Sequence, residues 1–408
     1  MQVEGLKQER LMRLNNTVYR LIIYCSMYAF LITAFFVDIC AGSYVNPLKG
    51  DLNVHDPVMI KEGNTYHIYY TGWNIAAKTS TDRITWRAAS SGLPSPSWIK
   101  TYVPANNGRD FWAPDISFRD NKYWLYYSVS TFSKNTSAIG LATSPTLTSP
   151  TWTDQGMVIR SQSTNNYNCI DPNAFEDTDG KVWLSFGSFW SGLKMVEVDP
   201  ATGKPATESP DIISLASHSS GIEAPFIFKW GYYYLFVSWD KCCSGCNSTY
   251  KIVAGRATNV KGPYVDKSGK AMTAGGGDIL DAGDDVRKGP GHNGIFIEHD
   301  TVFCVNHYYA CNSILQIRPL YFDDGWPSFT GTQTGTPQVQ IARNPSASAP
   351  KYSSSVLLVF ASSRSSLRQV KGRVYTVSGK EITPALDMQK YRMPQGVFIV
   401  DSRGRLPR

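Results

Sequence analysis

Short runs of aromatic and β-branched residues, paired around polar turns, recur through the middle of the chain. Residues 169–175 and 181–188 form one such pair, and the turn between them ends at Gly180. Apolar runs of this length bounded by turn residues are typical of β-hairpins. Four more pairs repeat the pattern at residues 55–72, 113–128, 223–238 and 292–307. The sequence therefore predicts five copies of one β-hairpin unit.

The copies are regularly spaced along the chain. A proline occurs near the start of each of the first four copies, and His292 follows about one repeat after the last of them; the prolines are Pro57, Pro114, Pro172 and Pro225. Such a repeat is long enough for a four-stranded sheet with its loops, and self-similarity at this period is typical of propeller blades. We predict an all-β fold, a five-bladed β-propeller with a short C-terminal extension.

Each copy carries a polar or ionisable residue near the head of the strand expected to lie innermost. These residues are Asp56, Asp115, Asp171, Glu223 and His292. Because inner strands converge around one axis, the five side chains are expected to meet although they are distant in sequence. The alternative is five unrelated hairpins with turn-forming Asp-Pro pairs.

Local composition divides the chain into four segments. Residues 1–42 contain basic residues followed by an uncharged run at 21–37, which indicates a signal peptide or a signal anchor. Residues 43–328 hold the repeats and form the predicted catalytic propeller. Residues 329–354 are rich in Thr, Gly, Ser and Pro and predict a linker. Residues 355–408 predict a basic tail or a small β module. The protein is accordingly expected to be secreted, or alternatively anchored at the cell surface.

Charge and composition narrow the function classes. The net charge is +7, but residues 329–408 alone carry 12 basic and 3 acidic side chains, so the propeller itself is mildly acidic. That distribution argues against a nucleic-acid partner and leaves the tail as a candidate for attachment to the cell surface. Aromatic residues reach 13%, which suits strand faces and stacking on sugar rings. Since a closed propeller hides its strand edges, a monomer is expected.

Eight cysteines are present without a regular spacing. Cys242, Cys243 and Cys246 cluster in one loop, but no second Cys/His pair stands at zinc-finger spacing. A loop disulfide or buried free thiols are both consistent with this cluster, and the pairing is left open.

Carboxylates gathered on one axis predict acid–base chemistry. Like charges raise one another's pKa, so one carboxyl can stay ionised as a base while another stays protonated as an acid. Glycoside hydrolysis requires such a pair. Within the sequence, no Ser-His-Asp set, phosphate-binding loop or dinucleotide fingerprint stands in a supporting context.

Several motifs together resemble one known family, glycoside hydrolase family 43. The signature positions are His55-Asp56-Pro57, Trp112-Ala113-Pro114-Asp115, Ile170-Asp171-Pro172-Asn173 and Gly221-Ile222-Glu223-Ala224-Pro225. Longer stretches at residues 186–192, 240–243 with 248–252, 262–266, 289–292, and 317–320 with 324–327 resemble the endo-α-1,5-L-arabinanases of that family. The resemblance covers roughly residues 44–328.

The resemblance implies an inverting mechanism with assigned roles. Asp56 matches the general base, Glu223 the general acid, and Asp171 the residue that tunes and orients the acid. His292 matches a residue that holds a central ion, usually calcium, directly or through water. Sugar-binding positions are matched by Trp112, Asn168, Asn173 and Ser188, and Asp115 is expected to shape the site.

The implied reaction is endo-hydrolysis of α-1,5-L-arabinofuranosidic linkages in arabinan, the side chains of pectin, or in arabino-oligosaccharides. An exo-acting α-L-arabinofuranosidase or β-xylosidase of the same family is the first alternative. Retaining β-fructofuranosidases share five blades, but begin from an Asn-Asp-Pro motif where this chain has His55-Asp56-Pro57. A non-catalytic arabinan-binding propeller is disfavoured, because all three carboxylates are present.

Overall fold

A computed structural model describes residues 46–330 and four short strands between residues 356 and 401. Residues 46–330 form five separate sheets of four or five strands each, with little helix. The predicted five-bladed β-propeller is confirmed. The predicted leader, residues 1–42, lies outside the described residues, as do almost all of the predicted linker and most of the C-terminal segment.

The strands are grouped into blades in chain order. Blade 1 contains β1 (Lys49–Gly50), β2 (Val58–Glu62), β3 (Thr65–Tyr70), β5 (Ala76–Ser80) and β6 (Thr85–Ala89). Blade 2 contains β4 (Gly72–Trp73), β7 (Asp110–Arg119), β8 (Lys122–Val129), β9 (Ser137–Ser144) and β10 (Thr153–Ser161), and a short helix α1 (Ile99–Tyr102) precedes β7.

The other three blades are four-stranded antiparallel sheets. Blade 3 contains β11 (Asn173–Glu176), β12 (Val182–Phe186), β13 (Leu193–Val198) and β14 (Ile213–Ala216). Blade 4 contains β15 (Ile222–Trp230), β16 (Tyr232–Trp239), β17 (Lys251–Ala257) and β18 (Asp278–Asp281). Blade 5 contains β19 (Lys288–Glu298), β20 (Thr301–Ala310), β21 (Asn312–Asp323) and β22 (Trp326–Ser328).

Five hydrophobic clusters fill the gaps between neighbouring blades. Each cluster joins residues of two adjacent blades, and one of them joins blade 5 to blade 1. Representative pairs are Val58 with Phe111, Tyr126 with Leu184, Trp183 with Leu235, Phe236 with Ile295, and Met59 with Phe296. Burying apolar surface on both faces of every blade stabilises the closed ring as a unit.

The segment before blade 1 also helps to close the ring. Asn53 bridges to Ile314 of β21, and backbone hydrogen bonds link residues 52 and 54 to residues 315 and 313. The start of the propeller is therefore bonded to its last blade, which covers an edge that would otherwise expose unpaired backbone groups.

The C-terminal unit spans residues 346–408, and its described part consists of four strands. β23 (Val356–Val359) pairs antiparallel with β26 (Phe398–Asp401), and β24 (Arg373–Tyr375) pairs antiparallel with β25 (Glu381–Pro384). Over the described residues, no helix is both long enough and apolar enough to span a membrane.

One position near the head of every inner strand has a left-handed backbone. The five residues and their φ angles are Asp56 (51°), Ala113 (43°), Asp171 (57°), Ala224 (55°) and His292 (49°). In blades 2, 4 and 5 this position lies within a register shift of the inner strand, and a bulge of this kind turns a side chain away from the strand's normal direction.

The predicted polar residues near the heads of the inner strands do not all stand at the same place in the repeat. Asp56 and Asp171 share the left-handed position with His292, but Glu223 stands one residue before it and Asp115 two residues after it. Position within the repeat therefore separates the acidic residues into three kinds.

Candidate active site

Neighbouring blades are joined by a hydrogen bond from the left-handed position of one to a side chain of the blade before it. The acceptors come from the second strand of the preceding blade or from the residue just after it. Ala113 N–H donates to Thr71 Oγ1 (2.8 Å), Asp171 N–H to Ser128 Oγ (2.9 Å), His292 N–H to Ser238 Oγ (2.8 Å), and Asp56 N–H to His307 Nδ1 (3.1 Å).

The junction between blades 3 and 4 departs from this pattern. Gly187 occupies the equivalent place, since its N–H bonds to Ile170 O just as Thr71 N–H bonds to His55 O, but glycine has no side chain to accept a hydrogen bond. Asp171 supplies the acceptor that Gly187 lacks: its Oδ2 accepts the N–H of Ala224 at 3.1 Å. The missing side chain thus brings a carboxylate of blade 3 against the residue that follows Glu223.

Asp56 is held by side chains on both of its carboxylate oxygens. Oδ2 accepts from Thr71 Oγ1 (2.6 Å) and lies 2.8 Å from His55 Nδ1, while Oδ1 lies 3.1 Å from His292 Nδ1. Burial alone would raise the pKa of Asp56, but the interactions with His55 and with the charged His292 outweigh it and hold the pKa well below its usual range. Asp56 is therefore an ionised carboxylate.

Glu223 and Asp171 have the opposite electrostatic character. Burial raises the pKa of Glu223, and the negative charge of Asp56 adds to the effect. Hydrogen bonds donated by Ser188 Oγ to Oε1 (2.7 Å) and by Tyr250 to Oε2 act in the other direction, because they favour the ionised form. Burial, together with the charges of Glu223 and Asp56, raises the pKa of Asp171 to about 8.

His292 supplies a positive charge beside the ionised Asp56. Burial would lower its pKa, but the ion pair with Asp56 raises it to about 9, and Asp171 and Glu223 contribute in the same direction. The imidazole is therefore a cation at neutral pH. His307 differs, because burial and its electrostatic interactions with the nearby His55 and His292 rings lower its pKa well below the usual value, and a neutral ring can accept the Asp56 N–H.

The structure brings Asp56, Asp171, Glu223 and His292 together, as the repeats predicted. Asp115 is not part of that group: its buried Oδ2 accepts the N–H of Ala174 (2.8 Å) and faces Asn173 Nδ2 (3.4 Å). Asn173 in turn accepts the N–H of Ile227 (2.8 Å). Both side chains join the inner strands of successive blades, so they shape the site through the backbone.

The remaining predicted sugar-binding residues have varied surroundings. Ser188 donates to Glu223, and Asn168 is buried with its Nδ2 close to Lys134 O (3.5 Å). Trp112 is half-buried and pairs with Ser128, at the place in blade 2 that Glu223 occupies in blade 4. Of these three residues, Ser188 is the one with a hydrogen bond to Glu223.

Four residues of the site were missed from the sequence: His55, Thr71, Tyr250 and His307. His55 and Tyr250 stand inside motifs that were recognised, but nothing in the sequence indicated their contacts. Tyr250 reaches Glu223 because blade 5 has Gly291 beside it, where a Cβ would lie 1.9 Å from the tyrosine ring. Burial raises the pKa of Tyr250 well above its usual value, so it remains a hydrogen-bond donor.

The loop between β16 and β17 contains the three clustered cysteines. Cys242 is disulfide-bonded to Cys243, and Cys246 is bonded to Cys311, which directly follows β20 in blade 5. The prediction of a loop disulfide holds for the first pair, whereas the partner of Cys246 lies 65 residues away. Cys169 and Cys304 are free and buried.

Three groups here could act as metal ligands, since donor atoms of His55, Asp56 and His307 lie within 4.8 Å of one another. However, His307 Nδ1 is bonded to the Asp56 N–H, and His55 Nδ1 to the Asp56 carboxylate. Calcium prefers six to eight oxygen ligands, so a set dominated by imidazoles fits direct calcium binding poorly. Among the described residues, His307 Nε2 and the Asn293 amide are buried without a hydrogen-bond partner, a situation usually met by ordered water.

Taken together, the site holds one ionised carboxylate and two carboxyl groups with raised pKa, on three different blades. An ionised carboxylate can take a proton from water, and a carboxyl of raised pKa can donate one to a leaving oxygen. The arrangement suits general acid–base hydrolysis.

Comparison with known proteins gives a consistent picture. The family described as glycosyl hydrolases family 43 matches residues 44–327. An extracellular endo-α-(1→5)-L-arabinanase of Bacillus subtilis is 48% identical over 286 residues, covering 68% of this chain and 87% of the relative. An extracellular exo-α-(1→5)-L-arabinofuranosidase of Cellvibrio japonicus is 42% identical, covering 68% and 86%. The solved structure of a Bacillus licheniformis endo-arabinanase is 49% identical with a TM-score of 0.65, covering 70% of this chain and all of that one.

Substitutions of Asp171 separate its charge from its hydrogen bond. The pKa of Asp171 is about 8 in the folded chain, against about 4 in the unfolded chain. At a pH between about 4 and about 8, folding therefore binds a proton at this residue. The contribution of this residue to stability is therefore lost as pH rises from about 4 to about 8. Asp171→Asn keeps an acceptor for Ala224 N–H without the charge, and should lack that loss. Asp171→Ala also removes the acceptor and should be less stable than Asp171→Asn by about 1–3 kcal/mol.

Urea unfolding of the three proteins at pH 5 and pH 8 measures both effects. The prediction is contradicted if the wild type and Asp171→Asn show the same change in unfolding free energy between the two pH values.

Proposed function

The chain belongs to glycosyl hydrolases family 43, and we propose that it cuts α-1,5-L-arabinofuranosidic linkages inside arabinan by an inverting general acid–base mechanism. The observation that carries the proposal is the pairing of an ionised Asp56 with a Glu223 of raised pKa on a different blade. Arabinan as substrate is supported by the arabinan-cleaving relatives and by the sugar-binding positions matched in the sequence.

Asp56 acts as the general base in this mechanism. His55, Thr71 and His292 hold its carboxylate and keep it ionised. His55 and Thr71 contact Oδ2, whereas Oδ1 is contacted by His292. A free lone pair on Oδ1 can orient a water and take its proton as the water attacks the anomeric carbon.

Glu223 acts as the general acid and protonates the departing glycosidic oxygen. Its raised pKa keeps the proton available at working pH, and burial is the main cause. Once the proton has been transferred, Ser188 and Tyr250 donate to the two oxygens of the carboxylate that remains. These bonds are stronger to the charged form, so they stabilise Glu223 as proton transfer proceeds.

Asp171 positions and tunes the acid. Its Oδ2 fixes the backbone of Ala224, immediately after Glu223, and its carboxyl shares the buried negative field of the site. Because its pKa is raised to about 8, Asp171 is mostly protonated near neutral pH and acts on Glu223 there through the Ala224 backbone; its charge would raise the pKa of Glu223 by repulsion only at higher pH.

We propose further that a hydrated calcium ion lies near His292 and is held through water. The Nδ1 of His292 is engaged by Asp56, which leaves Nε2 for a water ligand of the ion, and the unpartnered buried atoms of His307 and Asn293 suit a wet cavity. When bound, the ion would add positive charge near the Asp56 carboxylate.

We also propose that the protein is secreted. Export is supported by the basic and apolar segments of residues 1–42 and by two similar proteins that are named as extracellular. The two disulfides are typical of an oxidising compartment. Sequencing the N-terminus of the protein recovered from culture fluid distinguishes cleavage of the leader from anchoring. Attachment through the basic C-terminal tail and a monomeric state both remain proposals.

The product profile on linear arabinan tests the proposed function. An endo-acting enzyme should release a range of arabino-oligosaccharides early in the reaction, because it cuts at internal linkages. Asp56→Ala provides the inactive control and should lower turnover by at least about 100-fold, since it removes the base. Arabinose as the sole early product would make the enzyme exo-acting, like the Cellvibrio relative, and binding without any product would make it a sugar-binding protein.

Removal of the ion is expected to affect stability as well as activity. Exhaustive chelation should lower the melting temperature, and added calcium should restore it, whereas magnesium should not, because it requires a stricter octahedral shell. Differential scanning calorimetry and elemental analysis before and after chelation measure the effect. An unchanged melting temperature, with no metal detected in the untreated protein, would contradict a bound ion.

A further inference from the structure

A loop of blade 4 is fastened to blade 5 beside the proposed general base. This loop, residues 240–250, connects β16 to β17, and the Cys246–Cys311 disulfide bonds it to the residue that follows β20. The contact is close: a Cβ at Gly245 would lie 2.9 Å from Cys311 O. The disulfide therefore fixes where the backbone of residues 242–246 lies against the end of β20.

The hydroxyl of Tyr309 receives this loop. Cys243 N–H donates to Tyr309 Oη at 2.9 Å, and the same oxygen lies 2.9 Å from His55 Nε2. Tyr309 is 3% exposed, so its hydroxyl has few partners to choose from. Because the lone pair of the oxygen accepts the amide, its own proton is free to be donated to His55 Nε2.

Donation by Tyr309 to Nε2 would decide which nitrogen of His55 carries the proton. A neutral imidazole that accepts at Nε2 must carry its proton on Nδ1, and Nδ1 lies 2.8 Å from Asp56 Oδ2. In this tautomer His55 donates to the Asp56 carboxylate. In the other tautomer, a nitrogen lone pair would face the carboxylate and repel it, which would turn Asp56 away from its position.

We propose that Tyr309 and His55 are positioning residues for Asp56, and that the Cys246–Cys311 disulfide sets them by holding the Cys243 N–H against Tyr309. The order of contacts is Cys243 N–H to Tyr309, Tyr309 to His55 Nε2, and His55 Nδ1–H to Asp56. This inference rests on the proposed role of Asp56 as general base. On this proposal, the position of the Asp56 carboxylate depends on the disulfide between the blade 4 loop and the end of β20.

Tyr309→Phe in the full-length chain removes only the hydroxyl. It should lower kcat on arabino-oligosaccharide by about 10- to 100-fold, a part of the contribution usual for a general base, and leave KM within about twofold. The reason is that the water-activating group is misplaced while the sugar contacts remain. Tyr308→Phe is the matched control, since it removes the hydroxyl of the adjacent tyrosine on the same strand, and kcat should be unchanged.

A second variant tests the disulfide independently. Cys246→Ser with Cys311→Ser should lower kcat in the same way, and adding Tyr309→Phe to it should cause little further loss, because residues acting through one route are not additive. Melting temperatures of all variants show whether each is folded. If Tyr309→Phe does not fold, this cysteine variant decides the question alone.

The tautomer of His55 provides a readout separate from activity. In chain labelled with ¹⁵N-histidine, long-range ¹H–¹⁵N NMR should show His55 protonated at Nδ1, with the signal assigned by its loss in His55→Gln. Tyr309→Phe and the cysteine variant should shift this tautomer.

The outcomes separate the two claims. A shifted tautomer with no hydrolysis by the wild type supports the contact route while rejecting the proposed function. An unshifted tautomer, an unchanged kcat, or a rise in KM at constant kcat overturns the positioning role.

Discussion

The hydrogen bond between the left-handed residue of one blade and a side chain of the blade before it organises this molecule. Five inner strands are arranged around the axis by five such bonds, and four of the acceptors are Thr71, Ser128, Ser238 and His307. A left-handed backbone is unfavourable for residues other than glycine, so it persists only where the surroundings fix it. Here the bond to the neighbouring blade does so, and it turns Asp56, Asp171 and His292 toward one place.

The chemistry arises at the points where this pattern is altered. Gly187 cannot accept the amide of Ala224, so Asp171 does, and a carboxylate then lies next to the segment that carries Glu223. His307 is the acceptor between blades 5 and 1, and its neutral ring leaves Asp56 to pair with the charged His292. Because the groups are buried together, their pKa values separate: Asp56 stays low, while Asp171 and Glu223 rise. The same inter-blade contacts therefore support both the fold and the acid–base pair.

Much of the fold and the chemical core was predictable, because both repeat along the sequence. Regular spacing identified five blades, and residues at the heads of the inner strands identified Asp56, Asp171, Glu223 and His292. The register within each repeat was not predictable, since it depends on bulges that set Glu223 and Asp115 on either side of the left-handed position. Contacts such as Tyr309 with His55, 254 residues apart, and the Cys246–Cys311 bond arise only when the ring closes.

The central claim is that Asp56 activates water and Glu223 protonates the leaving oxygen, on opposite sides of the bond that breaks. Inverting enzymes need room for that water, with carboxyl groups about 6.5–9.5 Å apart. The most direct test is ¹H NMR of the newly formed reducing end, recorded within the first minutes of arabinan hydrolysis, before the anomers equilibrate. The account predicts that the β-anomer appears first from the α-linked substrate. An α-anomer appearing first, or a sugar ester trapped on Asp56, would contradict it.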